Sequence, residues 1–158
     1  MKNIRLVLAG ELVLLIAVSI FTLVVCGGGI ASVGLYADVP SILFIVLILI
    51  PGLLIMGEWK NFIKAFSVGI RHYSLLELKS IIGAVGAAQK LTVFAALFAT
   101  FISAVMILAR LDDISTIGPN LAVCFLSGFY AVIIEFFLLP LRLNAEKKMN
   151  EEMDMGDE

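Results

Sequence analysis

Charge is scarce in this chain: Asp, Glu, Lys and Arg make up 15% of its 158 residues, where soluble domains carry about 25%. Histidine occurs once, at His72, and cysteine twice, at Cys26 and Cys124. That spacing fits no zinc or CxxC motif, so the sequence offers neither a metal centre nor a disulfide framework. Both cysteines lie in apolar runs and read as small packing residues. The net charge of −2 supplies no basic stripe for nucleic acid. There is no nucleotide loop and no catalytic triad, so no enzyme chemistry and no cofactor is expected. What fills the chain instead is apolar. Hydrophobic residues reach 61%, with a mean hydropathy of +1.10, against about 45–50% in soluble proteins.

Long uncharged runs follow from that excess. Leu12 to Cys26 carries no charge, and Leu6 to Cys26 only Glu11. Lys2 and Arg5 precede this run as they would precede a signal peptide, but it is longer than an h-region of about 7–15 residues. A hydrocarbon core of about 30 Å takes about 20 apolar helical residues to cross, so residues 6–26 read as a first span. A second span covers 41–56, short and with Pro51 placed to kink it. A third covers 91–109 without a charge, and a fourth covers 119–141 with one, Glu135. Backbone groups in lipid must be bonded within their own segment, so each span reads as a helix.

With four spans, all of the 11 Lys and Arg residues except Arg110 fall on one side. That asymmetry marks the cytoplasmic side of the inner membrane. It places both termini and the 57–90 linker there, and leaves short outer loops at 27–40 and 110–118. Within the linker, Trp59, Phe62, Ile63 and Phe66 recur at helical spacing, with Lys60 and Lys64 pointing elsewhere. This is the pattern of a short amphipathic helix at the interface. Ser74-Leu-Leu-Glu77 has the form of a capping box, and no proline or charge cluster follows until Arg110. One helix of about 54 Å can therefore run from Leu75 to Arg110 at ~1.5 Å per residue. Its first part should project into the cytoplasm. Residues 149–158 are acidic and read as a disordered, solvated tail.

The few polar residues inside the spans are the candidate functional groups. Thr92, Ala96, Thr100 and Ser103 form one weakly polar stripe. Such a stripe serves close helix packing or lines an ion path, and the sequence leaves both open. Ser127, Gly128, Ala131 and Glu135 share a face of the fourth span. Glu135 is the sharpest signal, because a carboxylate within a span costs a few kcal/mol and faces a bundle interior or a water-filled cavity. Its alternative is a snorkelling residue, or one paired with Arg142. Glu11 reads as interfacial, near Arg5. Arg110, Asp112 and Asp113 read as a solvated outer cap, whose aspartates would also gather cations at an entrance.

Two stretches resemble a known family. Leu111-Asp112-Asp113-Ile-Ser-Thr-Ile117-Gly118-Pro119-Asn-Leu-Ala122-Val123, continued by Phe129-Tyr130 and Leu139-Pro140, is similar to a passage of flagellar stator A subunits. Residues 35–71, with Asp38-Val-Pro40-Ser41 ahead of an apolar span and a basic amphipathic helix, resemble the second span of the same proteins. With four spans and a long third helix, the membrane part resembles the MotA/TolQ/ExbB proton-channel family. It also departs from the pattern. The family's third-span Pro-x-x-Gly-x-x-Gly-Thr positions read Val93, Ala96, Ala99 and Thr100. The fourth-span Thr-Thr pair reads Ser127-Gly128, the Gly after tyrosine is Ala131, and a following Asn is Glu135. The large rotor-contacting cytoplasmic domain of flagellar stators is absent.

The resemblance implies an all-α membrane protein. It has four transmembrane helices, a long third helix extending into the cytoplasm and a short interfacial helix after span two, in a single domain over 1–148. It implies a homopentamer around a dimer of a single-span partner, of MotB, TolR or ExbD type, whose membrane aspartate takes the ion. This chain would supply the wall, with Thr100, Ser103, Ser127, Gly128, Tyr130 and Glu135 along the ion pathway and Asp112 and Asp113 at the outer entrance. A proton is favoured over sodium, because the Thr-Thr pair is reduced. The implied function is the ion-conducting stator of a rotary motor driven by the proton-motive force, energising an envelope or transport process. Two rivals remain. One is a non-conducting membrane scaffold on the same fold. The other is a small four-span antiporter using Glu11 or Glu135, which predicts self-dimers and no partner.

Overall fold

The computed structural model describes residues 4–25 and 38–155. They form five helices: α1 (Ile4–Val25), α2 (Val39–Ile55), α3 (Trp59–Ala65), α4 (Leu75–Ala109) and α5 (Ile114–Asp154), with no strand among the described residues. Lys2, Cys26, residues 27–37 of the expected outer loop and the last three residues of the tail lie outside them.

Each helix start has a local cause. Asp38 caps α2, its carboxylate accepting from the Ser41 N–H at 3.1 Å, with Pro40 in the first turn where its missing N–H costs nothing. Ser74 and Glu77 close the expected capping box on α4: the Ser74 hydroxyl accepts from the Glu77 N–H, and the Glu77 carboxylate accepts from the Ser74 N–H at 3.2 Å. Asp113 caps α5 by accepting from the Ser115 N–H at 3.1 Å.

The sharp break lies away from Pro51, which sits inside α2 without ending it. The chain turns by 111° between α2 and α3. Gly57 makes this possible, with φ +72°. The Glu58 N–H donates to the Leu53 carbonyl at 2.9 Å and the Gly57 N–H to the Leu54 carbonyl at 3.0 Å. These are the paired bonds of a Schellman end, whose turning residue needs the left-handed backbone.

α4 and α5 form the main interface and run antiparallel. Thr100 meets Cys124 and Ser127, while the earlier Gln89 meets the later Arg142. Among the buried residues of α4, Ile81, Val85, Ala88, Thr92, Ala96, Ala99 and Ser103 repeat at helical spacing. The two ends of the bundle differ. At one end the start of α1, the end of α2, α3, the first half of α4 and the second half of α5 enclose a packed base around Leu53, Leu78, Ile81, Val85 and Leu141. At the other end Phe94, Phe101, Val105, Leu108, Phe125 and Val132 are exposed. An apolar surface of that extent needs lipid or another subunit to cover it.

α4 and α5 are each long and apolar enough to cross a membrane. The bent pair α2 and α3 passes the same test taken together, and α1 contributes a shorter apolar stretch, Leu6–Thr22. The tail departs from its expected disorder, since α5 stays helical to Asp154. The apolar stripe Leu138, Leu141, Ala145, Met149 continues past Arg142 and packs on the base. Lys148 pairs with Glu152 at 3.1 Å and Glu151 at 3.7 Å across one turn.

Candidate functional site

The expected pathway residues divide into three groups along the α4–α5 seam. The first is a hydroxyl cluster. Thr100 Oγ1 lies 3.1 Å from Ser127 Oγ. Thr100 also donates toward the Ala96 carbonyl at 2.9 Å, and Ser127 toward the Cys124 carbonyl at 3.1 Å. Ser127 and Thr92 are fully buried and Ser103 nearly so. Thr92 bonds back to the Ala88 carbonyl at 3.0 Å. The Thr100 and Ser127 hydroxyls join α4 to α5 within one chain, which is how such groups bind membrane helices together. Gly128 is half-buried, with open space where a side chain would stand.

Tyr130 forms the second group. Its hydroxyl accepts from the Asp38 N–H at 2.9 Å. It therefore ties the middle of α5 to the capped start of α2. On the turn between α4 and α5, Asp113 spends its carboxylate on capping α5, while Asp112 is exposed beside it.

Glu135 is the third. It is half-buried, and its Oε1 is a buried oxygen with no hydrogen-bond partner among the described residues. Arg142 does not reach it. The Arg142 Nε donates to Glu146 at 2.9 Å and its Nη1 to the Gln89 side-chain oxygen at 3.3 Å. The Gln89 side chain also lies beside Glu135. Gln89, Lys90, Val93, Phe94, Glu135 and Arg142 line an open depression of about 590 Å³. Gln89 was not among the residues the sequence singles out. Its signal was the only amide side chain in α4, next to Lys90 at the edge of the uncharged run. Glu11, on α1, likewise has a buried oxygen, Oε2, without a partner among the described residues.

Outside the spans, Lys64 donates to Glu77 at 2.9 Å and lies 5.7 Å from the centre of the Tyr73 ring. The Lys64 ammonium and the Ser74 N–H hold the Glu77 carboxyl below its ordinary value of 4.5. Tyr73 in turn shares a hydrogen bond of 2.8 Å with Ser67. The α3–α4 connection is thereby latched onto the start of α4. No group of His, Cys, Asp and Glu that could hold a metal occurs among the described residues.

Comparison with family models, with curated proteins and with solved structures finds no match. A functional assignment therefore rests on the residues themselves.

Proposed function

We propose that this chain is the ion-conducting stator subunit of a membrane motor driven by the proton-motive force, five copies surrounding a dimer of a single-span partner. The observation that carries it is the string Leu111-Asp112-Asp113…Ile117-Gly118-Pro119…Ala122-Val123. Leu111 to Asp113 lie on the turn joining the two long apolar helices, and the rest of the string opens α5. Four spans with both termini in the cytoplasm belong to the same proposal, and so does a location in the inner membrane. α4 and α5 line the central cavity, and α1 and α2 face lipid. Protons are the favoured ion, exchanged at the partner's membrane aspartate and at Glu135. The compact linker suits an envelope or transport process better than a flagellar rotor.

One observation favours the scaffold reading: Thr100 and Ser127 bond each other and backbone carbonyls within a single chain. Proton flux separates the two. Vesicles holding the complex purified with its partner are energised, and internal pH is followed for the native chain and for Glu135→Gln. Conduction predicts flux in the native complex and its loss in an assembled Glu135→Gln complex. Absence of flux in the native complex supports the scaffold. Unchanged flux in the variant removes Glu135 from the pathway.

A further inference from the structure

The depression beside Glu135 is lined by four polar side chains, the Glu135 carboxyl, the Gln89 amide, the Arg142 guanidinium and the Lys90 ammonium. Glu135 and Arg142 lie two turns apart on α5, about 10 Å of rise. The arginine is the C-terminal member, so its side chain leans back toward the glutamate. Opposite charges lining one depression attract, so an ion pair is the alternative arrangement. It does not form: none of the ion pairs among the described residues includes Glu135, although Arg142 and Lys90 line the same depression. Arg142 is engaged by Glu146 on one side and by Gln89 on the other.

The chemistry of Gln89 explains the arrangement. A guanidinium only donates and an ionised carboxylate only accepts, whereas an amide does both. Gln89 turns its oxygen to Arg142, which leaves its NH2 group for Glu135. Glutamate at 89 would pair with Arg142 and repel Glu135, and a lysine would do the reverse. We infer that Gln89 is a positioning residue that holds Glu135 and Arg142 apart as an amide-bridged set, leaving the Glu135 carboxyl open to protonation from the depression. The Oε1 of Glu135 is buried with no partner among the described residues, so nothing at that oxygen holds the carboxyl ionised. This deepens the conduction proposal for the same site, and rests on it only in giving that proton exchange a purpose.

A hydrophobic carbodiimide tests the bridge without any transport measurement. It reacts with a protonated carboxyl in an apolar site, taking up the proton on nitrogen and forming a bond from carbon to the carboxyl oxygen. An ion-paired carboxylate does not react. The full chain, extracted with whatever accompanies it, is treated with dicyclohexylcarbodiimide, and the labelled residue is found by mass spectrometry. Glu135 is expected to be labelled in the native chain, more slowly as pH rises. In Gln89→Leu, Arg142 closes on Glu135 and labelling slows about tenfold or more, because an adjacent opposite charge favours the ionised form. The double variant Gln89→Leu/Arg142→Gln recovers it. Gln89→Met, of similar length, carries the same comparison if the leucine variant does not extract as a folded chain. A native chain unlabelled at Glu135, a Gln89 variant labelled at the native rate, or a double variant that stays slow each overturns the bridge. Native mass of the same sample keeps the two proposals apart. A labelling pattern as expected on a chain that is not pentameric leaves the bridge standing without the motor. A pentamer with labelling indifferent to Gln89 does the opposite.

Discussion

Glu77 and Lys64 show how a single exposed pair is used here. An exposed ion pair adds little stability as a rule, but this one closes a latch that also includes Ser74, Tyr73 and Ser67. The Glu77 carboxyl is held below its ordinary value of 4.5. Its contribution to the folded state is therefore complete above that value and is lost as pH falls through the lower folded value. Glu77→Gln is expected to speed amide exchange across residues 66–76 at neutral pH. The difference from the native chain, each compared at the same pH, should close below pH 4.5. A difference that persists in acid assigns the protection to something other than this carboxylate. Glu135 stands out in the sequence as a candidate because a charge in an uncharged run has few uses. Its surroundings do not. Whether Arg142 meets Glu135 depends on a residue from another helix, and spacing along α5 carries no information about Gln89.

At the scale of elements, local rules went far. The capping box at Ser74, the unbroken α4 and the short α3 all follow from residue types at fixed offsets. The sharp turn after α2 was not among the expectations, which placed only a kink at Pro51. Proline removes one backbone bond, and a helix can run on through it, as α2 does at Pro51. A positive φ reverses the chain's course, and Gly57 is where it occurs. Gly57→Ala meets no neighbouring atom within 4 Å, so its cost is the backbone alone, about 1–2 kcal/mol. Thermal unfolding of the extracted protein should show that loss, and Gly57→Asn, which tolerates this conformation better, should lose less. Equal stability of Gly57→Ala and the native chain would mean that the turn is not fixed at Gly57. The tail was misjudged for a different reason. Composition registers the acids after Met149 but not the stripe Leu138, Leu141, Ala145, Met149 that carries α5 beyond the apolar run.

For the whole molecule, the contrast between a packed base and an exposed apolar upper half is the main finding. Sequence hydropathy marks both halves as apolar and cannot tell which is covered by the chain itself. Two helices qualify as spans outright, and the bent α2–α3 pair qualifies only when taken together. The resemblance supplies the four-span pentamer that would cover the rest. The measurement that tests this most directly is the native mass of the complex drawn from membranes by a tag on this chain. Five copies of this chain with two copies of a smaller single-span protein is the predicted result. A monomer, or a dimer of this chain alone, would contradict it.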